Sequence, residues 1–284
     1  MRVMTTAPLF APDRAIRRIG GESALLFSGG RALLMQVAHP LVAAGVAEHS
    51  GFTQDPWRRL ARTMQAVYGI VYGTPEEAER IGAAVRRGHT HVRGTLHEDV
   101  GRFRAGTPYR ADDPALLLWV HATLVDNALA VHEQFVGPVA PADREAFHED
   151  MKVLGRLFGV PPETLPATYA AFEAYMRRML ASGVLAVGRD ARAIAGAMLD
   201  PPLPLPLRPT AVAVAKITTA LLPEPLPALY GLRAGRPQQA LARASAAIAR
   251  QVVPRAPRVL REVGPSGDRG RPGLALRVLD AIAR

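Results

Sequence analysis

Histidine is the residue type in this chain with the widest range of chemistry, and the sequence holds eight histidines and no cysteine. Without thiols there are no structural disulfides, cysteine-ligated zinc sites, iron–sulfur clusters or c-type haem attachments, and no haem iron is held by thiolate. A neutral imidazole can still bind a metal or transfer protons near neutral pH. The spacing of the histidines decides which of these roles are open.

This spacing argues against one metal ion shared between histidines. His121 and His132 fall on one predicted helix, but a rise of 1.5 Å per residue separates them by about 16 Å along its axis. His89 and His91 are two residues apart, which directs them to different sides of a helix. The sequence therefore favours roles that a single histidine can fill.

One pair with metal-ligand spacing does occur, at Glu145 and His148. A di-iron bundle of the ferritin type needs two such Glu-x-x-His pairs and two further glutamates, so a single pair is a weak indication. The zinc-protease motif His-Glu-x-x-His is absent. We expect Glu145 and His148 to face solvent.

His121 lies within a strongly apolar predicted helix, residues 114–136, which Asp113 and Pro114 begin and Gly137 ends. The apolar residues on its face are Leu117, Leu118, Leu124, Val125 and Ala128. A neutral imidazole in such an interior needs a partner for its nitrogens. Two interpretations stay open: a core histidine bonded to a neighbouring group, or a ligand for a metal or haem iron.

Haem suits a lone histidine, because it needs one proximal ligand and a largely apolar, helical pocket. His121 would be that ligand, and Leu117, Leu124 and Val125 would line the pocket beside it. The haem iron would then be the metal in this protein.

A second predicted helix could cover the other face of the macrocycle. Arg86, His89 and Thr90 are spaced i, i+3 and i+4, so they share one side of that helix. They offer a cation, an imidazole and a hydroxyl to one patch. A solvated basic helix end explains the arginine equally well.

Capping signals and helical spacing predict an all-α protein, with no convincing alternating strand and no repeat. The predicted helices cover residues 31–50 with a kink or break at His39–Pro40, 56–72, 75 to about 100, 114–136, 142–158, 166–182, 190–199, 210–222 and 237–252. We expect a single globular helical domain of about eight to ten helices around a buried cofactor pocket.

Composition shifts suggest where this domain begins and ends. We expect residues 1–20 to be a loose N-terminal arm with a short helix, 21–262 the helical domain, and 263–284 a flexible basic tail with a short helix. The proline-rich stretch 200–209 is predicted to be an extended, polyproline-like strap.

The net charge of +10 does not indicate a nucleic-acid partner. Only two lysines occur, and residues 228–284 hold eleven arginines against three acidic residues with Tyr230 as their one aromatic side chain. No stacking platform or nucleic-acid-binding motif accompanies the charge. A compositional bias with a solvated basic surface is the simplest explanation of the arginines, and contact with an anionic membrane surface or an acidic partner is favoured a little over a nucleic acid.

No targeting or membrane-spanning segment is expected. The N-terminus lacks an apolar core of signal-peptide length, and the apolar run 211–222 is too short to cross a bilayer. We therefore expect a cytoplasmic protein without a transmembrane segment, with at most peripheral membrane contact.

Several motifs resemble a known family. They are GGRALLMQVAHPLVAAGVAEHS, DPWRRLARTMQAVYGIVYGTPEEAER, YRADDPALLLWVHATLVDNAL, EQFVGP and LLPEPLPALYGL, in this order between about residues 20 and 235. The chain is identified from them as a member of the domain of unknown function shared by rubber oxygenases (latex-clearing proteins) and the fungal oxygenase of mycophenolic acid biosynthesis. The resemblance implies a helical domain that holds haem b through one proximal histidine, at the position of His121.

The resemblance also places Arg86, His89 and Thr90 at a distal Arg-x-x-Lys-Thr arrangement. Here His89 replaces the lysine, and a histidine could bind oxygen by a hydrogen bond, pass protons or ligate the iron. The distal glutamate of the rubber-cleaving enzymes has no match in the apolar stretch 68–72. Polyisoprene is therefore not the expected substrate.

These observations predict a haem-b oxidoreductase that uses dioxygen or peroxide on a small apolar substrate. Arg86 and Thr90 would orient the oxygen species, or Arg86 would contact a haem propionate, and His89 would gate the sixth site or shuttle a proton. The alternative is a non-catalytic haem sensor or carrier in which His121 and His89 both ligate the iron.

Overall fold

The computed structural model describes residues 7–51, 56–200, 205–232, 235–257 and 261–264, and this part of the chain is dominated by α-helices. They are α1 Ala15–Gly20, α2 Gly29–Val37, α3 Pro40–His49, α4 Pro56–Tyr72, α5 Pro75–His91, α6 Pro114–Phe135, α7 Pro141–Leu157, α8 Tyr169–Ala181, α9 Arg189–Leu199, α10 Arg208–Leu221, α11 Leu226–Leu229 and α12 Arg236–Val252. The predicted all-α class is confirmed, with more helices than expected.

Helices α5 and α6 begin at the N-cap residues that the sequence predicts. The Asp113 carboxylate accepts the backbone N–H groups of Ala115 at 2.8 Å and Leu116 at 3.3 Å, which fixes the start of α6. Thr74 and Glu77 form a reciprocal capping box at the start of α5. These local bonds position the two helices that carry the predicted site residues.

The predicted break at His39–Pro40 is confirmed, and it separates α2 from α3. His39 is the N-cap of α3, and its Nδ1 accepts the backbone N–H of Leu41 at 3.3 Å. Burial, together with the positive charge of Arg102, lowers the pKa of His39 to about 4 in spite of the opposing charge of Asp113. His39 therefore has a structural role as an uncharged cap.

We expect His39→Asn to reduce the acid sensitivity of the fold. The unfolded imidazole has a pKa of about 6.5 and the folded one of about 4, so between these values the unfolded chain binds more protons and stability falls as the pH falls. Asparagine can still cap the helix but does not titrate. The free energy of unfolding of the variant should therefore fall by about 2 kcal/mol less than that of the parent between pH 7 and pH 5. Urea unfolding at both pH values measures this. His91→Asn, at an exposed histidine, is the control, and an unchanged loss in His39→Asn would contradict the prediction.

A short antiparallel hairpin corrects the prediction that α5 continues to about residue 100. α5 ends at His91, and strands β1 (Arg93–Thr95) and β2 (Pro108–Arg110) pair with Gly94 opposite Tyr109. A Cβ at Gly94 would meet the Tyr109 hydroxyl at 2.6 Å, so any larger residue would have to displace the tyrosine side chain. Three-residue strands are too short to show an alternating pattern, which is why the sequence did not indicate them.

The N-terminal helix is also packed more firmly than predicted. Residues Ala15, Ile16 and Ile19 of α1 are buried, and α1 contacts α7. The backbone N–H of Ile16 donates to Asp150 of α7 at 3.0 Å, and Arg14 forms an ion pair with the same carboxylate. The short helix expected within residues 1–20 is therefore present as α1, whereas the expectation of a loose arm was wrong for the described residues up to 20.

Two other predicted segments fall partly outside the described residues. Of the strap 200–209, residues 201–204 lie outside them, whereas Leu205–Leu207 is a 3-10 helix and α10 begins at Arg208, so this end is not extended. Residues 265–284 of the predicted tail also lie outside. The segment 261–264 is docked, because the Val263 N–H donates to the carbonyl of Gly21 at 2.8 Å.

Helix α6 runs through the middle of the main core. Among the described residues, α6 is the helix that is both long enough and apolar enough to cross a membrane. Its mean hydropathy is 1.4 over an 18-residue window. However, 56% of that window is buried inside the protein, and core helices of globular proteins pass the same test. Its burial places His121 against the neighbouring helix α7.

Candidate functional site

The imidazole of His121 is enclosed between α6 and α7. The residue is 5% exposed, and a Cβ built on Gly155 of α7 would lie 3.1 Å from both its Cε1 and its Nε2. Glycine at position 155 thus leaves the space that the ring fills. An isolated glycine inside a helical pattern is the signal that could have drawn attention to this position.

Both ring nitrogens of His121 are buried and have no hydrogen-bond partner among the described residues. Burial, with a smaller contribution from the His148 ring, lowers the pKa of His121 to about 4, so the ring is neutral at neutral pH. An unpaired buried polar group of this kind costs about 1–3 kcal/mol. The interpretation as a satisfied core histidine therefore has no support within the described residues.

The three predicted lining residues lie in different parts of the core. Leu117 belongs to a small cluster with Leu118, Val160 and Leu165, whereas Val125 is fully buried in the main core. Leu124, one turn after His121, borders a cavity between helices.

This cavity has a volume of about 70 Å³. Its lining residues are Ile16, Gly20, Leu25, Ala32, Met64, Val67, Tyr68, Val71, Leu124, Asn127, Ala128, Phe147, Met151 and Leu154. The lining is apolar apart from Tyr68 and Asn127, and the Tyr68 hydroxyl already donates to the carbonyl of Gly20 at 3.3 Å. Leu124 follows His121 by one turn and Leu154 precedes Gly155, but neither His121 nor Gly155 lines this cavity.

Arg86 of α5 approaches the same part of α7. Its Nη1 donates to the carbonyl of Leu157 at 2.7 Å, and its Nη2 pairs with Glu79 at 2.6 Å. A Cβ on Gly159 would lie 3.3 Å from the Arg86 side chain and 3.9 Å from that of Leu117. Arg86 of α5 and Leu117 of α6 therefore both lie near the segment that ends α7, residues 157–159.

The other two members of the predicted distal trio are placed differently. His89 is half-buried, and burial lowers its pKa, with Asp112 opposing and Arg59 adding to the shift. Its Nδ1 is buried with no hydrogen-bond partner in the described part of the chain. Thr90 is exposed, and its hydroxyl donates to the carbonyl of Arg87 at 2.8 Å. The structure therefore does not bring all three side chains to one enclosed patch.

The expectation that Glu145 and His148 face solvent was wrong for the histidine. His148 is 1% exposed, its Nε2 donates to the carbonyl of Pro166 at 2.9 Å, and its ring lies against Phe172 of α8. Glu145 is partly buried and accepts the backbone N–H of Tyr169 at 3.0 Å. Both side chains thus hold the segment before α8 onto α7, a role that their spacing did not indicate.

No group of three or more histidine, aspartate or glutamate side chains among the described residues is arranged to hold a metal ion. A site with a single protein ligand, such as an axial haem ligand, does not require such a group.

Comparison with known proteins places this chain in a family. Residues 16–251 match the family model described as "ER-bound oxygenase mpaB/B'/Rubber oxygenase, catalytic domain". The chain belongs to this family. The match confirms the resemblance seen in the sequence motifs, and membership of the mpaB/rubber oxygenase family supports an oxygenase-type function for the helical domain.

Two relatives, both named as uncharacterised, come from Mycobacterium bovis and Mycobacterium tuberculosis. Each is 30% identical to this chain over 203 residues, which is 70% of this chain and 69% of the relative. No solved structure gives a significant match. The functional comparison therefore rests on the family assignment and on neither of these two relatives.

Proposed function

We propose that this member of the mpaB/rubber oxygenase family is a haem-b-dependent oxidoreductase of the oxygenase type, in which His121 would be the protein residue that holds the iron. The observation that carries the proposal is the buried, neutral imidazole of His121, whose nitrogens have no protein partner among the described residues. A metal would take the lone pair of one nitrogen and so offset the cost of burying it unpaired.

When bound, haem b would supply the oxidation chemistry, with dioxygen or peroxide as the oxidant. The chain would contribute the pocket. Gly155 leaves room for the ligand ring, while Leu124 and Val125 keep water and polar molecules away from it. The apolar lining of the neighbouring cavity supports a small apolar substrate.

Arg86 would provide a positive charge for a haem propionate or for an oxygen species, for which it would have to exchange its present ion pair with Glu79. His89 would pass a proton through its ring, whose Nδ1 is buried with no hydrogen-bond partner in the described part of the chain, while burial lowers its pKa and so favours the neutral form. Thr90 would have to rotate away from the Arg87 carbonyl to take part.

The size of the cavity sets a condition for this proposal. Small-molecule pockets commonly enclose about 300–1,000 Å³, whereas the present cavity encloses about 70 Å³. A macrocycle would fit at this cavity only if α4, α6 and α7 stood further apart than they do in this structure. We expect the haem-loaded protein to unfold at a higher temperature than the haem-free protein, because binding to the folded state stabilises it.

One observation favours the alternative of a haem sensor or carrier. His89 also has a buried nitrogen without a partner in the described part of the chain, so it could serve as a second iron ligand. A ferrous spectrum with and without carbon monoxide distinguishes the two functions. A shift of the Soret band would support the oxygenase, and a band that the gas does not move would support the sensor or carrier.

We expect His121→Ala to lower haem retention by roughly tenfold or more, because the iron loses its protein ligand. The measurement is the haem content per chain after reconstitution with hemin and gel filtration, together with the absorption spectrum. His132→Ala is the matched control, since it removes an imidazole from the same helix where Nδ1 contacts the carbonyl of Gly137 at 3.2 Å.

His132→Ala should keep the haem content of the parent protein. A His121→Ala variant with full haem content and an unchanged spectrum would place the axial ligand elsewhere. Parent protein that stays colourless after reconstitution would overturn haem dependence altogether.

A further inference from the structure

The strongly exposed large aliphatic side chains of the described residues all lie after residue 200. They are Leu205, Val212, Ile248 and Val252. Ile248 is 64% exposed and Val252 58% exposed, four residues apart on α12. An exposed pair at this spacing forms a continuous apolar surface on one face of a helix.

This face of α12 points away from the core. Ala242 and Ala246 are buried, and α12 contacts α10 and α6. Ala240 and Ala244 are exposed and continue the i, i+4 row toward Ile248. The outward row is therefore apolar along most of the helix, although the core does not require it.

The segment around this row is strongly basic. Residues 225–261 contain seven arginines and no acidic residue. Arg236, Arg243 and Arg255 are exposed. Arg250 instead donates to the backbone carbonyls of Glu133 at 2.8 Å and Gln134 at 3.1 Å, which fastens α12 to the end of α6. These bonds hold α12 against α6 with its outer row facing away from the core.

The neighbouring helix α10 repeats the combination of basic and apolar side chains. Arg208, Val212 and Lys216 are exposed and spaced four residues apart, so they form one row along that helix. Two adjacent helices thus expose aliphatic side chains next to cations.

We propose that the α12 surface, defined by Ala240, Ala244, Ile248 and Val252 with Arg236, Arg243 and Arg255, docks onto an anionic lipid membrane. The aliphatic side chains would enter the boundary between headgroups and acyl chains, and the guanidinium groups would bind lipid phosphates. The complementary charge selects a membrane over an uncharged apolar partner. A nucleic acid would leave the aliphatic row uncovered, and the row has no aromatic side chain to stack on bases.

The test is sedimentation of the full-length protein with two kinds of vesicle: phosphatidylcholine alone, and phosphatidylcholine mixed with phosphatidylglycerol. We expect binding to the mixed vesicles only, with affinity falling as salt rises. The double variant Ile248→Ser, Val252→Ser should weaken binding by roughly tenfold or more, because it removes the inserting side chains. Arg243→Gln should weaken it by about fivefold.

Arg80→Gln on α5 is the matched control, since it removes one exposed positive charge from another surface and should leave binding at the parent level. Circular dichroism checks that each variant is folded, and Arg243→Gln keeps the proposal testable if the double variant does not fold. Absence of binding, equal binding to neutral vesicles, or unchanged binding by both α12 variants would overturn the proposal. A dimer in sedimentation velocity that the double variant dissociates would assign the surface to a second copy instead.

Discussion

Replacing Asp150 with alanine is expected to lower the free energy of unfolding by about 3 kcal/mol. The side chain of Asp150 is fully buried, yet it accepts the backbone N–H of Ile16 and forms an ion pair with Arg14. Alanine would leave the buried N–H without a partner and remove a charge-assisted hydrogen bond, and each loss costs about 1–3 kcal/mol. The Arg14 side chain is half exposed, so its charge stays hydrated and adds little.

Two variants separate these contributions. Asp150→Asn keeps an oxygen for the Ile16 N–H and should cost about 1 kcal/mol. Asp143→Ala removes a second ion pair between the same two helices, with Arg18 at 2.5 Å, but both side chains are well exposed, so it should cost less than about 1 kcal/mol. Urea unfolding of the three variants gives the comparison. Equal losses for Asp150→Ala and Asp143→Ala would show that burial of the carboxylate does not matter.

Replacing Gly155 with valine is expected to reduce haem retention about as much as His121→Ala. A Cβ at this position already lies 3.1 Å from the ring, so the two methyl groups of valine would displace the imidazole from its place between α6 and α7. The measurement is again haem content after reconstitution with hemin, together with the thermal unfolding midpoint of the haem-free protein.

Gly196→Val is the matched control for this change. Gly196 lies in helix α9, where an added Cβ would meet no atom within 4 Å, so the same substitution alters the backbone preference without a clash. We expect this variant to keep its haem. If Gly155→Val also kept a full haem complement with the parent spectrum, the side of His121 that faces α7 would not matter for binding haem, and the proposed site would have to be revised.

Local chemistry made much of the helical framework predictable. The starts of α5 and α6 depend on side chains within three residues of each helix end, at Thr74, Glu77 and Asp113, and these contacts form wherever the helix is placed. The break at Pro40 follows from the proline ring itself. The hairpin was missed because its strands, Arg93–Thr95 and Pro108–Arg110, are separated by residues 96–107 and carry too few residues for a periodic signal.

Burial of individual polar residues depended on segments distant in the sequence. His148 was expected in solvent, but the segment ending in Tyr169 and the α8 residue Phe172 cover it. Likewise, Ile16 and Arg14 find their partner Asp150 more than 130 residues away. No local pattern reports such contacts, because they depend on how helices pack after they have formed.

The sequence by itself determined that His121 lies on the apolar face of a long helix, since periodicity and capping are local properties of the chain. Only the tertiary structure decided whether that imidazole has a partner. The residue that α7 places against the ring is Gly155, which offers no polar side chain, and the two nitrogens remain buried and unpaired in the described part of the chain. A neutral ring in that setting costs stability unless something accepts its lone pair, and this cost is the physical reason for proposing His121 as a ligand.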